Sequence, residues 1–308
     1  MRQVLHKQAL HKPSPHQLSF RMAAIIFLTT FLCAGCAQKQ RSINPPLPDL
    51  LTLSFSGLEN LGSGYAYEGW LVVEGLTVST GTFTVDEGGN ISQSEVHVDA
   101  EDLAAATAFI LTIEPSPDDH PEPSQTHYLA GDFSGDAVLT VGHLDALRSN
   151  FLSAAGSYLL ETPTTADDAD DFAQGIWFAI PYVQPPWGAL LQLPAIPRGW
   201  LYEGWVIGPG GPVSTGKFDA TGYPDMDGPG PAAGPDPGPQ YPGQDFIDPP
   251  MSLIGYQVAV SIEPDPDNDP GPFTLQPLIA LDMEDFEVGR PQPMTNNAGS
   301  FPTGMAGR

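Results

Sequence analysis

The four residues Tyr67-Glu68-Gly69-Trp70 recur as Tyr202-Glu203-Gly204-Trp205, and VSTG follows each time, at 78–81 and at 213–216. Residues 67–83 align with 202–218 without a gap at an offset of 135. Residues 109–124 align with 258–273 at an offset of 149, so the second copy carries an insertion of 149 − 135 = 14 residues. The insertion falls in residues 222–250, where 15 of 29 residues are Gly or Pro. That composition predicts a long surface loop without regular elements. Self-similarity on this scale is duplication of a whole module, so the fold must be one that a single chain can build twice.

Each copy reads as strand. Residues 50–58 place Leu51, Leu53 and Phe55 on one face, and residues 189–197 hold the equivalent place in copy two. The period-two pattern puts Phe109, Leu111 and Ile113 on a core face, matched by Val258, Val260 and Ile262. Asp86-Glu87-Gly88-Gly89-Asn90 is a turn, and residues 175–181 open the second module as a strand. Only residues 100–108 and 142–151 read as helix. The expected fold is all-β, two tandem antiparallel β-sandwich modules with long Pro/Gly-rich loops. The expected boundaries are a signal segment at 1–35, a tether at 36–49, module one at 50–142, a connector at 143–173 with a polar, acidic and solvated part at 161–173, module two at 174–286 and a disordered tail at 287–308.

Within each copy the motifs keep one order: a strand with Tyr and Trp, a Gly-rich turn, V-S-x-G-x-F, then E-P ahead of a Pro-containing loop. Here these are Tyr67, Trp70, VSTGTF and IEPSPDDHPEPS, then Tyr202, Trp205, VSTGKF and IEPDPDNDPGPF. The pattern resembles the C-terminal, extracytoplasmic domain of anti-sigma-K factors, over roughly residues 50–140 and 187–283. In that family an N-terminal cytoplasmic domain binds sigma and a transmembrane helix joins it to the outer domain. This sequence shows neither, so no direct sigma-factor binding is expected. The resemblance implies a stand-alone lipoprotein built from two such outer domains.

The N-terminal segment carries that expectation. Residues 22–32 form an eleven-residue, mostly apolar run behind Arg21, too short for a stable span of about twenty residues and suited to a secretory signal. The run ends in Cys33-Ala34-Gly35-Cys36, which resembles a bacterial lipobox with Cys33 where Leu is preferred. Cys36 is the expected lipidation site, its thiol taking diacylglycerol and acyl chains holding the protein at a membrane surface. The chain has 2 cysteines, Cys33 and Cys36, so processing leaves no disulfide and no thiolate metal site. The polar, then Pro-rich, residues 37–49 read as a tether. Ala37 after the cysteine, rather than Asp, favours outer-membrane sorting in a Gram-negative source, and the expected location is the outer membrane and periplasm or the cell surface.

Charge narrows the partners. All 37 acidic residues lie beyond residue 36, against 7 basic ones, a balance of 7 − 37 = −30. Such a surface repels phosphate backbones, which argues against nucleic acid and leaves cations, envelope proteins and glycans as partners.

Duplication also sorts the chemistry, because a monomeric enzyme rarely carries its whole active site twice. Trp70 and Trp205 are therefore expected as core aromatics between sheets, with Tyr67 and Tyr202 on the opposite face. Glu68 and Glu203 share a face with the Trp, and Glu114 and Glu263 are expected as hydrogen-bond acceptors at strand ends. No catalytic residue is picked out: HExxH, GxSxG, Walker and dinucleotide patterns are all missing from the sequence. Carboxylate pairs for glycan hydrolysis are abundant, but nothing selects one. Asp132, Ser134 and Asp136 alternate like calcium-loop ligands, yet Ala137 and His143 occupy the places of the required Gly and bidentate Glu. Asp167, Asp168, Asp170 and Asp171, and Asp225 and Asp227, are the candidates for weak Ca2+ binding, against a reading as solvated loops. The leading functional expectation is a non-catalytic interaction or sensory module of the cell envelope. A carboxylate-dependent glycan-active enzyme and a calcium-stabilised surface protein stand as alternatives.

Overall fold

A computed structural model describes residues 48–118, 120–166, 171–183, 188–239, 241–267, 269–284 and 287–308. Cys36, Asp167, Asp168 and Asp170 lie outside these residues. The first copy contributes β1 (Pro48–Ser56), β2 (Tyr65–Val73), β3 (Leu76–Phe83), β4 (Glu95–Asp99), helix α1 (Ala100–Ala105), β5 (Ala106–Pro115), β6 (His127–Asp132) and β7 (Ala137–Thr140). Then come β8 (Ala155–Leu160), β9 (Gly175–Trp177), β10 (Leu191–Gln192), β11 (Trp200–Gly208), β12 (Gly211–Phe218), β13 (Gly243–Asp245), β14 (Gln257–Pro264) and β15 (Leu278–Ala280). The chain ends with β16 (Gln292–Pro293), β17 (Thr295–Asn296) and β18 (Thr303–Gly307). The expected all-β, antiparallel architecture is what forms.

The repeat is visible in the pairing. One sheet has eight strands in the order β3-β2-β5-β6-β7-β18-β1-β4, and another has five in the order β12-β11-β14-β15-β17. The run β3-β2-β5-β6 is thus written again as β12-β11-β14-β15. The register repeats too: Tyr67 faces Phe83 and Ile113, and Tyr202 faces Phe218 and Ile262. A third sheet, β10-β8-β9-β13 with β16 beside β8, joins strands from the segment between the copies to strands within and after the second copy.

Several expectations are corrected. Residues 287–308 form β16, β17 and β18, and β18 pairs with both β1 and β7 inside the eight-stranded sheet. Composition misleads there because its glycines are required by packing: a Cβ on Gly304 would stand 2.5 Å from the Phe55 ring, and one on Gly307 2.5 Å from Thr52 Oγ1. The connector contains β8, and in the part expected to be solvated Thr162 and Thr164 are buried. The Gly/Pro-rich loop contains β13, which pairs with β9, and buries Tyr241 and Phe246. Residues 142–151 form turns rather than helix, with positive φ at Arg148 and Phe151. At residues 100–108 the helix is confined to α1, capped by the Asp99 carboxylate on the amides of Glu101 and Asp102.

One hydrophobic core serves both copies. It includes Leu51, Leu53, Phe109, Leu111 and Ile113 from the first and Val258, Val260 and Ile262 from the second, all on the faces the sequence predicts. Tyr128 of copy one packs against Phe273 and Trp200 of copy two in tilted ring pairs, with ring centres 5.4 and 5.8 Å apart. Four hydrogen bonds reinforce that seam: Tyr65 Oη donates to Pro266 O (3.1 Å), Trp200 Nε1 to His127 O (3.2 Å), Thr126 Oγ1 to Gly199 O (3.3 Å) and the Thr274 amide to Glu59 Oε2 (2.7 Å). The two copies are therefore fused through a common core rather than strung like beads.

Candidate functional site

The repeated phrase resolves into structure, and each letter has a separate cause. Tyr67 and Tyr202 lie in the main core, where their hydroxyls donate to Glu59 O (3.0 Å) and Pro194 O (2.6 Å). Trp70 and Trp205 lie on the other face of their strands, the reverse of the expected assignment. Trp70 packs with Ile110, Ala130 and Ala146 in a satellite cluster. All four rings are buried, so the expectation of structural aromatics holds while the faces exchange. Each indole N–H is satisfied, Trp70 by Thr112 Oγ1 (2.9 Å) and Trp205 by Ser261 Oγ (2.8 Å).

Gly69 and Gly204 leave room for a phenyl ring. A Cβ on Gly69 would meet Phe109 at 2.6 Å, and one on Gly204 would meet Phe178 at 2.7 Å. The VSTG words make the matching β-bulge. Pairing slips by one residue beside each glycine, and Gly81 and Gly216 adopt φ of +98° and +104°, where a side chain is strained. Ser79 and Ser214 then donate to the buried carboxylates of Glu68 and Glu203.

The E-P words complete a second doubled network. Thr112 and Ser261 donate onward to Glu114 and Glu263. Each glutamate also receives a backbone amide from the Pro-rich loop that follows, Ser124 N at 2.9 Å and Phe273 N at 3.0 Å. Glu114 and Glu263 are the expected strand-end acceptors, and their oxygens are committed to holding those loops.

The copies differ in charge at one position in this network. Lys217 stands where copy one has Thr82, each opposite its glutamate across the hairpin. Its ammonium lies 2.8 Å from Asp267 Oδ2 and 3.4 Å from Glu203 Oε2. Glu203, Glu263 and Asp267 bring carboxylate oxygens within 4.8 Å of one another, the one such acidic group among the described residues. Burial pushes the Glu263 carboxyl up to about 8 and raises that of Glu203, against the Ser214 bond and the Lys217 charge. Burial alone would lower the Lys217 pKa, but Asp267 and Glu203 outweigh it and raise it. Lys217 supplies here the positive charge a bound cation would bring, and Ser261 and Phe273 already engage Glu263.

The acidic residues singled out from sequence do not gather in this cluster. Asp225 and Asp227 converge on Gly216, where a Cβ would stand 2.9 and 2.5 Å from their oxygens. Asp225 accepts the amides of Gly228 (2.8 Å) and Gly243 (3.3 Å), and burial with the Asp227 charge pushes its carboxyl up to about 8. Asp171 is held separately, by the hydroxyls of Thr162 and Thr165. A buried carboxylate that sequence reading missed is Asp245 on β13, which accepts from Trp177 Nε1 (2.9 Å) and from Thr164. In the calcium-like stretch, His143 Nε2 lies 3.3 Å from Asp132 Oδ1.

The surface feature that the copies build together is a groove of about 680 Å³ at their seam. Tyr65, Ile113 and Pro115 form one wall, and Ile196, Trp200 and Pro264 the other. Tyr65 and Trp200 are equivalent residues of the two copies, as are Pro115 and Pro264. Arg198, Asp219 and Asp265 also line the groove. None of the three was singled out from sequence, because the groove exists only where two distant segments meet.

Residues 40–127 match the family described as anti-sigma-K factor rskA, C-terminal. The match spans the first copy through β5 and its Pro-rich loop, so this part of the chain is similar to the anti-sigma-K C-terminal domain. The second copy carries the same motifs through the internal repeat. No curated protein and no solved structure matches the chain.

Proposed function

We propose that this chain is a cell-envelope lipoprotein whose two anti-sigma-factor-like domains form one non-catalytic recognition or sensory unit. Residues 1–35 direct export, Cys36 carries the lipid, residues 37–47 act as the tether, and the seam groove is the recognition surface. The observation that carries the reading is the groove itself, a concavity of ligand size that neither copy builds alone. The doubled carboxylates support it from the other side. Glu68, Glu114, Glu203 and Glu263 are buried and bonded to hydroxyls or amides, as fold determinants are.

Two variants of the full-length chain test this. Cys36→Ala is expected to shift the protein from the membrane fraction to the soluble fraction, and unchanged fractionation rejects the anchor. Ala220→Trp places a bulky ring in the groove from a half-buried position. It is expected to abolish capture of the envelope partner retained by the native chain at an unchanged melting temperature. Equal capture rejects the groove as the recognition surface.

A second reading rests on Asp219 and Asp265, two carboxylates lining one groove and unmatched in the first copy, where Thr84 and Ser116 stand. Glycan hydrolysis uses such a pair. Release of reducing ends from envelope glycan by the native chain, lost in Asp219→Asn and Asp265→Asn, would favour it. An unaltered glycan favours the binding reading.

A further inference from the structure

Cations are scarce in this protein, and their placement is informative. Among the described residues the basic side chains are Arg148, Arg198, Lys217, Arg290 and Arg308. Three are engaged. Arg148 Nε donates to Leu144 O (2.9 Å), and Lys217 is held by Asp267 and Glu203. Arg308 donates to Leu103 O and Ala106 O at 2.9 Å each and lies over the Phe133 ring. Arg290 is not among the residues lining the seam groove. Arg198 is the one basic residue that lines the seam groove, and it makes no side-chain hydrogen bond or ion pair with any described residue. Asp219 and Asp265 line the same groove, yet neither forms an ion pair with it. In a chain with 37 carboxylates, a guanidinium left open beside apolar walls is positioned for something that arrives from outside.

Resting on the groove reading above, we propose that the groove binds the C-terminal end of an extended peptide, with Arg198 as the anchor for its terminal carboxylate. A guanidinium presents its N–H donors as a planar fork that matches a carboxylate. Ile113, Ile196 and Trp200 offer apolar contact to the terminal side chains. Asp219 and Asp265, both exposed, can accept amide N–H groups, which a peptide carries next to its carboxylate and a fatty acid does not. The surrounding acidity selects further. A surface this negative repels polyanions, so nucleic acids and polyacidic glycans are disfavoured while a peptide with a single terminal charge is admitted. The groove volume of about 680 Å³ lies within the range of sites for ligands of a few residues.

The test is calorimetric titration of the full-length chain with three probes: acetyl-Gly-Val-Phe as the free acid, the same peptide as its C-terminal amide, and decanoate. The free acid is expected to bind about tenfold or more tightly than either of the others. Arg198→Gln is expected to weaken the acid by about tenfold and to leave the amide unchanged. Equal binding of acid and amide, or an unchanged acid affinity in Arg198→Gln, overturns the carboxylate anchor. Decanoate binding as tightly as the peptide acid overturns the peptide assignment, and absence of binding by the acid overturns the proposal outright. The groove reading is judged apart, by Ala220→Trp. If acid and amide bind equally and Ala220→Trp abolishes both, the groove is a site and the anchor is wrong. Arg198 is exposed, so its substitution is expected to leave the melting temperature unchanged and a lost affinity reports recognition.

Discussion

Lys217→Met should separate the electrostatics of the second copy from its packing. Methionine keeps most of the stem and removes the charge that lies 2.8 Å from Asp267 Oδ2 and 3.4 Å from Glu203 Oε2. The two carboxylate side chains are only 6 % and 4 % exposed, whereas the lysine is 28 % exposed. Removing one partner from a fully buried pair costs about 3–5 kcal/mol, and the partial exposure of the ammonium reduces this to about 2–3 kcal/mol. That loss is expected at pH 8, where no cation remains to balance the acidic cluster. At pH 5.5 protons can take the place of the ammonium, since burial already raises the pKa of Glu203 and of Glu263, and the loss should fall below about 1 kcal/mol. Urea unfolding of the native and variant chains at the two pH values measures both quantities. The same destabilisation at pH 5.5 as at pH 8, or less than about 1 kcal/mol at pH 8, would refute the view that Lys217 neutralises the cluster. The reciprocal change, Thr82→Lys, puts an ammonium opposite Glu68 in copy one and should add up to about 1 kcal/mol at neutral pH.

Gly69→Ala and Gly204→Ala should each destabilise by about 1–3 kcal/mol in chemical unfolding, because the added methyl would overlap Phe109 or Phe178; a change below about 0.5 kcal/mol in both would show that the rings move aside. The native chain should be most stable in mild acid. Burial raises the carboxyls of Glu59 to about 7 and of Asp225 and Glu263 to about 8, so each contributes stability that is complete below the unfolded value near 4 and is lost as pH rises through 7 and 8. The melting temperature should therefore be at least about 5 °C lower at pH 9 than at pH 5.5, and a flat or rising profile contradicts this. Deleting residues 291–308 should abolish cooperative unfolding, because it removes β18 from between β7 and β1; a truncated chain with the native transition would show that strand to be dispensable.

Legibility in the sequence followed the range of the interactions. The strand faces of β5 and β14 could be read because alternation of Phe109, Leu111 and Ile113, and of Val258, Val260 and Ile262, is a local signal. The faces of β2 and β11 were read in reverse because both sides are buried: the side holding Tyr67 faces the common core and the side holding Trp70 faces a satellite cluster. With apolar or aromatic residues on both sides, alternation fixes the partition but not which side is the core. The C-terminal segment was unreadable for another reason. Its glycines at 304 and 307 resemble those of a flexible tail, and only Phe55 and Thr52, about 250 residues earlier in the chain, show why side chains are excluded there. Lys217 is the intermediate case. Aligning the copies places it against Thr82, but Glu203, Glu263 and Asp267 come together only in the fold, so the alignment alone does not reveal the acidic cluster. Tyr65 and Trp200 show the limit of the same comparison: their equivalence is plain in the alignment, but not that they stand on facing walls. Duplication thus identifies what each copy needs in order to fold. Differences between copies, such as Lys217 against Thr82 or Asp219 against Thr84, mark where the second copy acquired properties of its own, and Asp219 and Arg198 lie where the two copies meet.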